Sequence, residues 1–192
     1  KNIRIYLHFD SKLSQLIYFN DFEKAERVFV NKVLKPGDTF VDVGANIGLF
    51  SLIAANCVGK KGRVVAFEPV EKIYQRFCDN IKLNDFLNVK SYNLAISDTT
   101  GEALFNQIED GYDAWSTFGT PTDGRSFSSN VVKCDTWDKF AFENDFIGKV
   151  SLMKIDVEGW ETHVLNGALK TLIREDAPVL LVEFSDIMAH LA

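Results

Sequence analysis

The segment Phe40-Val41-Asp42-Val43-Gly44-Ala45-Asn46-Ile47-Gly48 determines the fold that we expect for this chain of 192 residues. Residues 39–43 form a short and almost continuous apolar run, which is typical of a strand buried on both faces of a parallel sheet. Glycines bound the turn that follows, and residues 49–57 then have the apolar content of a buried helix. A strand, a turn and a helix in direct succession predict an α/β fold.

The same alternation continues along the chain. Further strands are predicted at 63–67, 89–93, 150–155 and 179–183, and further helices at 70–83 and 160–172. Because crossovers between parallel strands are right-handed, helices cover both faces of such a sheet. We therefore expect a doubly wound, Rossmann-like parallel sheet. A complete sheet of this kind often has further strands after this point, so we expect its last strands to be missing at the C-terminus of the chain.

Residues 1–38 are expected to form an extension that packs on the main domain. Apolar alternation at 3–9 and 16–19 predicts an N-terminal hairpin. A helix is predicted next, because Asn20 can cap its N-terminus and apolar residues recur at helical spacing from Phe22 onward. The chain therefore divides into a small N-terminal extension and one larger domain.

Residues 98–138 are predicted to be an insertion, and its central part, 109–130, is rich in Gly, Ser, Thr, Asp, Asn and Pro. A loop of this length inside a compact domain is usually functional or disordered. Disordered linkers contain few aromatic residues, whereas this segment contains Tyr112, Trp115 and Phe118. We expect a lid that contacts the ligand, with a plain surface excursion as the alternative.

Composition and charge limit the partners that we expect. Lys and Arg number 21 against 27 Asp and Glu, which gives a net charge of −6, and no basic stripe is present. We therefore expect no nucleic acid partner. No apolar run approaches the ~18–20 residues of a membrane-spanning helix, so we expect no membrane span. The 3 cysteines lack the spacing of a zinc site or a disulfide framework, which favours a reducing, cytoplasmic environment.

Acidic side chains follow the predicted strands at their carboxyl ends, where ligands bind in open α/β sheets. These side chains are Asp42, Glu68, Asp156 with Glu158, and Glu183. Carboxylates crowded at one edge repel one another and need a cation, a hydroxyl-rich ligand or a metal ion to offset the repulsion. Asp156, Glu158 and Glu183 could together bind a hard divalent cation, but we expect no metal. The simpler alternative is that the acidic residues only cap the helices that follow.

Glu68 indicates the type of ligand. An acidic residue at the end of the second strand of such a sheet can accept hydrogen bonds from both hydroxyls of a ribose. The turn from Gly44 to Gly48 lets the backbone approach a ligand at the start of a helix. It is not a G-x-G-x-x-G pattern, because Asn46 stands at the second glycine and its side chain hinders a pyrophosphate. An adenosine ligand without a pyrophosphate fits better, and S-adenosylmethionine is such a ligand.

Together with residues 40–48, three further segments resemble the FkbM family of S-adenosylmethionine-dependent class I methyltransferases. They are Ala66-Phe67-Glu68-Pro69, Met153-Lys154-Ile155-Asp156-Val157-Glu158-Gly159 and Pro178-Val179-Leu180-Leu181-Val182-Glu183. The resemblance runs from about residue 22 to residue 183. Many methyltransferases share the first segment, whereas the Lys-Ile-Asp-Val-Glu-Gly segment is far more specific. The resemblance makes residues 39–192 the methyltransferase domain.

The resemblance implies a class I methyltransferase fold and transfer of a methyl group to a hydroxyl oxygen, in a family that commonly modifies sugars, glycolipids or secondary metabolites. It implies a cofactor site made of Asp42, Gly44, Asn46 and Gly48 for the methionine part, Glu68 and Pro69 for the ribose, and Leu94, Ala95 and Ser97 for the adenine. The implied catalytic residues, which would face the methyl-transfer centre, are Asp156 and Glu158. The residues that we expect to contact the acceptor are Glu183 and the lid aromatics Tyr112, Trp115 and Phe118.

Other interpretations stay open at this point. A nicotinamide-dependent oxidoreductase would share the fold, but the missing second glycine argues against it. A methyltransferase acting on the exocyclic nitrogen of a nucleic-acid base usually contains Asn-Pro-Pro or Asp-Pro-Pro, which the sequence lacks. A module that binds S-adenosylmethionine without catalysis would have the same cofactor residues. His163 is a further candidate base, while Trp137 and Phe140, at helical spacing, are predicted to lie in the core.

Overall fold

The computed structural model describes residues 2–108 and 127–183. Its strands are β1 (Thr39–Val43), β2 (Arg63–Phe67), β3 (Val89–Tyr92), β4 (Ala95–Ile96), β5 (Gly101–Ile108), β6 (Phe127–Asp135), β7 (Leu152–Ile155) and β8 (Val179–Val182). Its helices are α1 (Lys12–Tyr18), α2 (Lys24–Val33), α3 (Leu49–Val58), α4 (Glu71–Asn84), α5 (Trp137–Glu143), α6 (Glu161–Gly167) and α7 (Leu169–Leu172).

A five-stranded sheet lies at the centre of the fold, with the strand order β3-β2-β1-β7-β8. All neighbouring strands in it are parallel, which confirms the prediction of a Rossmann-like parallel sheet. Strands β1 to β3 follow one another towards one edge, and β7 and β8 lie on the other side of β1. The strand order therefore reverses between β1 and β7. Ligands of such sheets bind beyond the carboxyl ends of the strands at this reversal.

Apolar cores lie on both faces of this sheet because successive side chains of a strand point to opposite faces. On one face Val41 and Val43 pack against α5, where Trp137 and Phe140 are buried as predicted. On the other face Phe40 packs against α2 and α3. The helices therefore hold β1 in the middle of the molecule, with its carboxyl end fixed at the strand reversal.

The N-terminal residues do not form the predicted hairpin. Residues 2–8 contain neither strand nor helix, and α1 replaces the second predicted strand. The backbone of residues 2–8 pairs with side-chain amides of α4 instead, since Asn80 Oδ1 accepts a hydrogen bond of 2.7 Å from Tyr6 N and Asn84 binds Arg4 in the same way. The apolar alternation that predicted a strand arises because Ile5 packs onto the main domain.

The helices differ from the predicted ones mainly at their ends. Helix α2 begins at Lys24, and its N-cap is Glu23 in the left-handed conformation, with φ at 40°, rather than Asn20. The predicted helix over 160–172 is divided into α6 and α7 at Ala168. Within the two described ranges, no helix is long and apolar enough to cross a membrane.

The insertion at 98–138 contains more regular structure than we predicted. Strands β5 and β6 pair antiparallel, and β4 joins β6 in parallel, which forms a second sheet of three strands. The aromatic residues of the predicted lid, Tyr112, Trp115 and Phe118, lie outside the described residues. The lid therefore stays a prediction.

Candidate functional site

A cavity of about 270 Å³ lies at the carboxyl ends of β1, β2, β7 and β8. This is the strand reversal, where open α/β sheets bind their ligands, and its volume is close to the lower end of ligand sites, ~300–1,000 Å³. The predicted site residues that line it are Asp42, Gly44, Asn46, Glu68, Pro69, Leu94, Ala95, Asp156, Glu158 and Glu183. The structure therefore brings most of the predicted cofactor and catalytic residues together.

Gly48 and Ser97 were predicted to bind the cofactor, but neither lines the cavity. A Cβ at Gly48 would lie 2.1 Å from the ring of Phe77, so a glycine is required there by the packing of α4. Ser97 Oγ accepts a hydrogen bond of 3.0 Å from Trp160 Nε1. Both residues thus serve contacts within the fold, with Phe77 and Trp160.

Gly44 lines the cavity for a reason that the turn pattern did not suggest. Its φ is +84°, and a Cβ would lie 1.8 Å from the backbone oxygen of Asp156. The turn after β1 and the segment after β7 are therefore in close contact. The glycine serves this protein contact, and not only the approach of a cofactor to the backbone.

The side chain of Glu68 is held in the cavity wall by backbone groups. Its two carboxylate oxygens accept hydrogen bonds from Asn46 N at 3.0 Å and from Val70 N at 2.9 Å. Each carboxylate oxygen can accept more than one hydrogen bond, so this geometry orients the carboxylate and leaves acceptor capacity for the hydroxyls of a ribose.

Asp42 supplies a buried acceptor at the centre of the site. It is 1% exposed, and its Oδ2 accepts a hydrogen bond of 2.6 Å from the hydroxyl of Ser51. Its Oδ1 has no hydrogen-bond partner among residues 2–108 and 127–183. Burial raises the pKa of Asp42. Because a buried acceptor without a partner is costly, this oxygen suits a ligand that brings a donor, such as the ammonium group of S-adenosylmethionine.

Part of the cavity lining is apolar. Leu94 and Ala95 belong to it, together with Phe67, Ile96 and Phe105. Phe105 belongs to β5 and was not predicted, because the strands of the insertion were not recognised. Apolar and aromatic side chains of this kind suit the flat ring of an adenine.

Four carboxyl groups surround the part of the cavity nearest to β7 and β8. One oxygen of each of Glu23, Asp156 and Glu183 lies within 4.8 Å of the others, and Glu158 interacts with Asp156 and Glu183. Burial raises the pKa of Glu158 to about 9, that of Glu183 to about 8 and that of Glu23 to about 7. The three carboxyl groups that lie close enough to share a cation are therefore Glu23, Asp156 and Glu183. The sequence had suggested Glu158 in place of Glu23.

Lys154 is a buried cation among these carboxyl groups, and sequence reasoning did not assign it a role. It is 4% exposed, it donates a hydrogen bond to Asp156, and its Nζ lies 4.7 Å from the centre of the Phe50 ring. Burial alone would lower the pKa of this ammonium, but Asp156, Asp42 and Glu23 outweigh burial and raise it. Lys154 in turn outweighs the burial of Asp156 and lowers the pKa of that carboxyl. The sequence feature that could have identified Lys154 is a charged residue inside an otherwise apolar strand.

The N-terminal extension forms one wall of the cavity, which the sequence did not indicate. Lys12, Leu13 and Leu16 of α1 line the cavity, as do Phe22 and Glu23. The extension is therefore part of the candidate site. No local pattern in residues 1–38 carries this information, because the contact depends on how α1 packs across the sheet edge.

His163, the other candidate base, does not line the cavity. Its Nδ1 lies 2.8 Å from Asp98 Oδ2, and its ring stacks on Trp160 with centroids 3.6 Å apart. Trp160 also lies outside the lining. These side chains connect α6 to the segment after β4.

Comparison with known proteins yields a family match and a fold match. A sequence model described as "Methyltransferase FkbM domain" matches residues 42–191. The crystal structure of methyltransferase FkbM from Methylobacillus flagellatus KT is similar with a TM-score of 0.52 and 18% identity, and the match covers 93% of this chain and 45% of that chain. At this identity the structural likeness concerns the fold alone.

Two curated relatives match part of the chain. The 23S rRNA (uracil(1939)-C(5))-methyltransferase RlmD of Acinetobacter baumannii (strain AB0057) is 35% identical over 82 residues, which are 42% of this chain and 17% of that protein. The AMB antimetabolite synthetase AmbE of Pseudomonas aeruginosa is 40% identical over 86 residues, which are 45% of this chain and 4% of that protein. The chain thus spans only a small part of either relative.

The prediction that excluded a nucleic acid partner was wrong. It rested on the net charge and on the lack of a basic stripe, whereas a matched relative acts on ribosomal RNA. A net charge of −6 describes the whole chain, and binding depends on the local potential of the surface that meets the partner.

Proposed function

We propose that this chain, which belongs to the FkbM methyltransferase family, transfers a methyl group to a hydroxyl oxygen of a small molecule. The family match confirms the resemblance of its motifs and the expected cofactor, S-adenosylmethionine. The proposed acceptor is a sugar, a glycolipid or a secondary metabolite, and the match to an antimetabolite synthetase supports a small-molecule acceptor. We assign the transfer to residues 39–192 as the methyltransferase domain, with residues 1–38 as an extension that completes the wall of the site.

The proposed placement of the cofactor follows the polarity of the cavity. The unpartnered oxygen of Asp42 suits the ammonium group of the methionine part, Glu68 suits the ribose, and the apolar part of the lining, which includes Leu94, suits the adenine. Bound S-adenosylmethionine supplies a methyl group on a positively charged sulfur. The chain then has to hold the acceptor oxygen in line with that bond, and such alignment can contribute a large part of the rate enhancement.

The observation that carries the proposal is the contrast between Asp156 and Glu158 in one cavity. Lys154 keeps the pKa of Asp156 low, whereas burial raises that of Glu158 to about 9. Carboxyl groups whose environments separate their pKa values commonly divide the acid and base roles of a reaction. Asp156, which is ionised, accepts the proton of the acceptor hydroxyl as its oxygen attacks. Glu158, which is protonated near neutral pH, donates a hydrogen bond to the acceptor.

We retain the lid in this proposal. An aromatic face can cover the apolar side of a sugar ring while polar neighbours bind its hydroxyls. Trp115→Ala should therefore raise the KM for the acceptor and leave the affinity for S-adenosylmethionine nearly unchanged. Equal losses in acceptor KM and cofactor affinity would show that the loop is structural.

RNA is a second candidate acceptor, favoured by the match to an rRNA methyltransferase. That match covers 42% of this chain, so it bears on part of the domain only. Transfer of the kind named for that relative places the methyl group on carbon C5 of a uracil, whereas the proposed reaction places it on a hydroxyl oxygen.

Methyl transfer from labelled S-adenosylmethionine tests the proposal and separates the two acceptors. Wild-type protein is incubated with methyl-tritiated cofactor and either a panel of sugars, glycolipids and secondary metabolites or total RNA. We expect label in a small hydroxyl compound, with an O-methyl group in the product, and a strong loss of label with Asp156→Asn. Label that enters RNA alone would overturn the small-molecule proposal, and no transfer to any hydroxyl compound would count against it as well.

A further inference from the structure

Lys154 occupies an unusual position for a lysine. It lies on the central strand β7, directly beside Asp42 of β1 in the register of the sheet, and its side chain is 5% exposed. A buried ammonium is costly unless it is paired. Among the described residues, its ammonium group donates a hydrogen bond to Asp156 and lies over the ring face of Phe50. Both contacts are made by Nζ, so the charge of the lysine holds it beside the carboxyl groups.

The carboxyl groups around Lys154 have the composition of a metal site. Oxygens of Glu23, Asp156 and Glu183 lie within 4.8 Å of one another, and hard cations such as Mn²⁺ and Mg²⁺ prefer carboxylate oxygens. A cation of that kind would need the Asp156 oxygens and would stand close to the ammonium group that already binds them. Two positive charges in one buried place are strongly unfavourable.

We propose that Lys154 is the built-in cation of this carboxylate group, that it takes the place of a divalent metal, and that it positions ionised Asp156 towards the acceptor. The proposal rests on the proposed function for the part that concerns the acceptor. Lys154 acts through Asp156 and is a positioning residue. The charged and titratable groups that interact with Asp156 or belong to its cluster are Lys154, Asp42, Glu23, Glu158 and Glu183. Lys154 is the cation among them.

The chemistry explains why a fixed lysine would be used. A resident ammonium keeps Asp156 ionised without dependence on metal supply, and it holds the carboxylate in one orientation through a hydrogen bond. One carboxylate oxygen of Glu183 also lies within 4.8 Å of one of Asp156. Asp156 therefore has the Lys154 ammonium as a hydrogen-bond donor and the Glu183 carboxyl group as a close neighbour.

Two substitutions of Lys154 separate its charge from its packing. Lys154→Met keeps an unbranched side chain of similar length and removes the charge, whereas Lys154→Arg keeps the charge. Thermal melts show which variants are folded. Each folded protein is then titrated with Mn²⁺, followed by electron paramagnetic resonance, and the pKa of Asp156 is measured by carbon-13 carboxyl NMR, with Asp156→Asn to assign the signal.

We expect wild-type protein and Lys154→Arg to bind no Mn²⁺ at millimolar concentration. Lys154→Met should gain Mn²⁺ binding that disappears when Glu183→Gln is added, and the pKa of its Asp156 should rise, because an opposite charge nearby lowers a carboxyl pKa. Mn²⁺ binding by wild-type protein that Glu183→Gln abolishes would overturn the proposal. An unchanged pKa of Asp156 in folded Lys154→Met would overturn it too.

The wild-type Mn²⁺ titration needs no substitution, so the proposal can fail even if Lys154→Met does not fold. Binding of S-adenosylmethionine to wild-type protein, measured by calorimetry in the same buffer, is a separate arm. Absence of cofactor binding would remove the proposed function and leave the Mn²⁺ result unaffected, which keeps the two failures distinguishable.

Discussion

Glu68→Ala is expected both to weaken cofactor binding and to lower stability. The two effects can be measured separately, as a Kd and as a Tm. Glu68 is 6% exposed, and its carboxylate accepts hydrogen bonds from the backbone of Asn46 and Val70. A hydrogen bond to a charged group contributes about 1.5–3 kcal/mol, so losing both should lower the free energy of unfolding by about 3 kcal/mol or more. For a domain of this size each 1 kcal/mol lowers Tm by about 2–4 °C, so a fall of roughly 6–12 °C is expected.

The loss of cofactor affinity is measured below the Tm of the variant. If Glu68 binds the ribose hydroxyls, losing even one such bond costs about 1.4 kcal/mol or more and weakens binding of S-adenosylmethionine at least about ten-fold. Calorimetry with S-adenosylmethionine and S-adenosylhomocysteine gives the Kd. Glu71→Gln is the matched control, because Glu71 is an exposed carboxylate at the start of α4, shortly after Glu68 in the chain. An unchanged Kd in folded Glu68→Ala would refute the ribose assignment, whatever the melt shows.

Three further predictions concern the cavity. Asp156→Asn should lower turnover by ~100-fold or more, the low end for a general base, whereas Glu158→Gln should retain most activity because Glu158 is already neutral near pH 7; steady-state kinetics would contradict this if both variants lost activity equally. Gly44→Ala should lower Tm far more than Gly37→Ala, since both glycines have positive φ but only Gly44 has a neighbour within 4 Å of the new Cβ; equal shifts would contradict the close contact with the segment after β7. The pKa values of Glu158 and Glu183 are raised to about 9 and about 8, so these groups bind more protons in the folded protein than in the unfolded chain between about pH 4.5 and about pH 9. Stability should therefore fall as pH rises through this range. A Tm that rises between about pH 6 and about pH 9 would contradict this prediction.

The main sheet could be predicted because the sequence pattern that marks each strand lies within the strand and its flanking turns. Most strands of the main sheet are short apolar runs between turn residues, and the bounds of Arg63–Phe67 agree with the prediction. The ends of these runs carry the carboxylates, so Glu68 and Asp156 meet at one cavity once the strands are parallel. Fold and site position follow from the same pattern.

The N-terminal structure was not predictable in this way because its partners are distant in the chain. Tyr6 binds Asn80, which lies 74 residues further on. Apolar alternation shows that one side of the segment is buried, but it does not show whether a strand or side-chain amides satisfy the backbone. The hairpin was therefore the wrong choice between two arrangements with the same pattern.

Two features of the site also depend on contacts between distant segments. Gly44 must be glycine because the backbone oxygen of Asp156 approaches it, and the turn pattern alone cannot show that. The sequence did not reveal the role of Lys154, because its effect depends on burial beside Asp42. Polar residues inside apolar strands deserve a functional hypothesis on this ground, since an unpaired buried charge is rarely tolerated.

Cofactor binding by wild-type protein tests whether the cavity is an S-adenosylmethionine site. Calorimetric titrations with S-adenosylmethionine, S-adenosylhomocysteine and NAD are run on the same preparation. We expect saturable binding of the first two at one site per chain and no binding of NAD, because Asn46 stands where a pyrophosphate requires a glycine. Saturable binding of NAD, without heat from either S-adenosyl compound, would refute the assignment of the cavity.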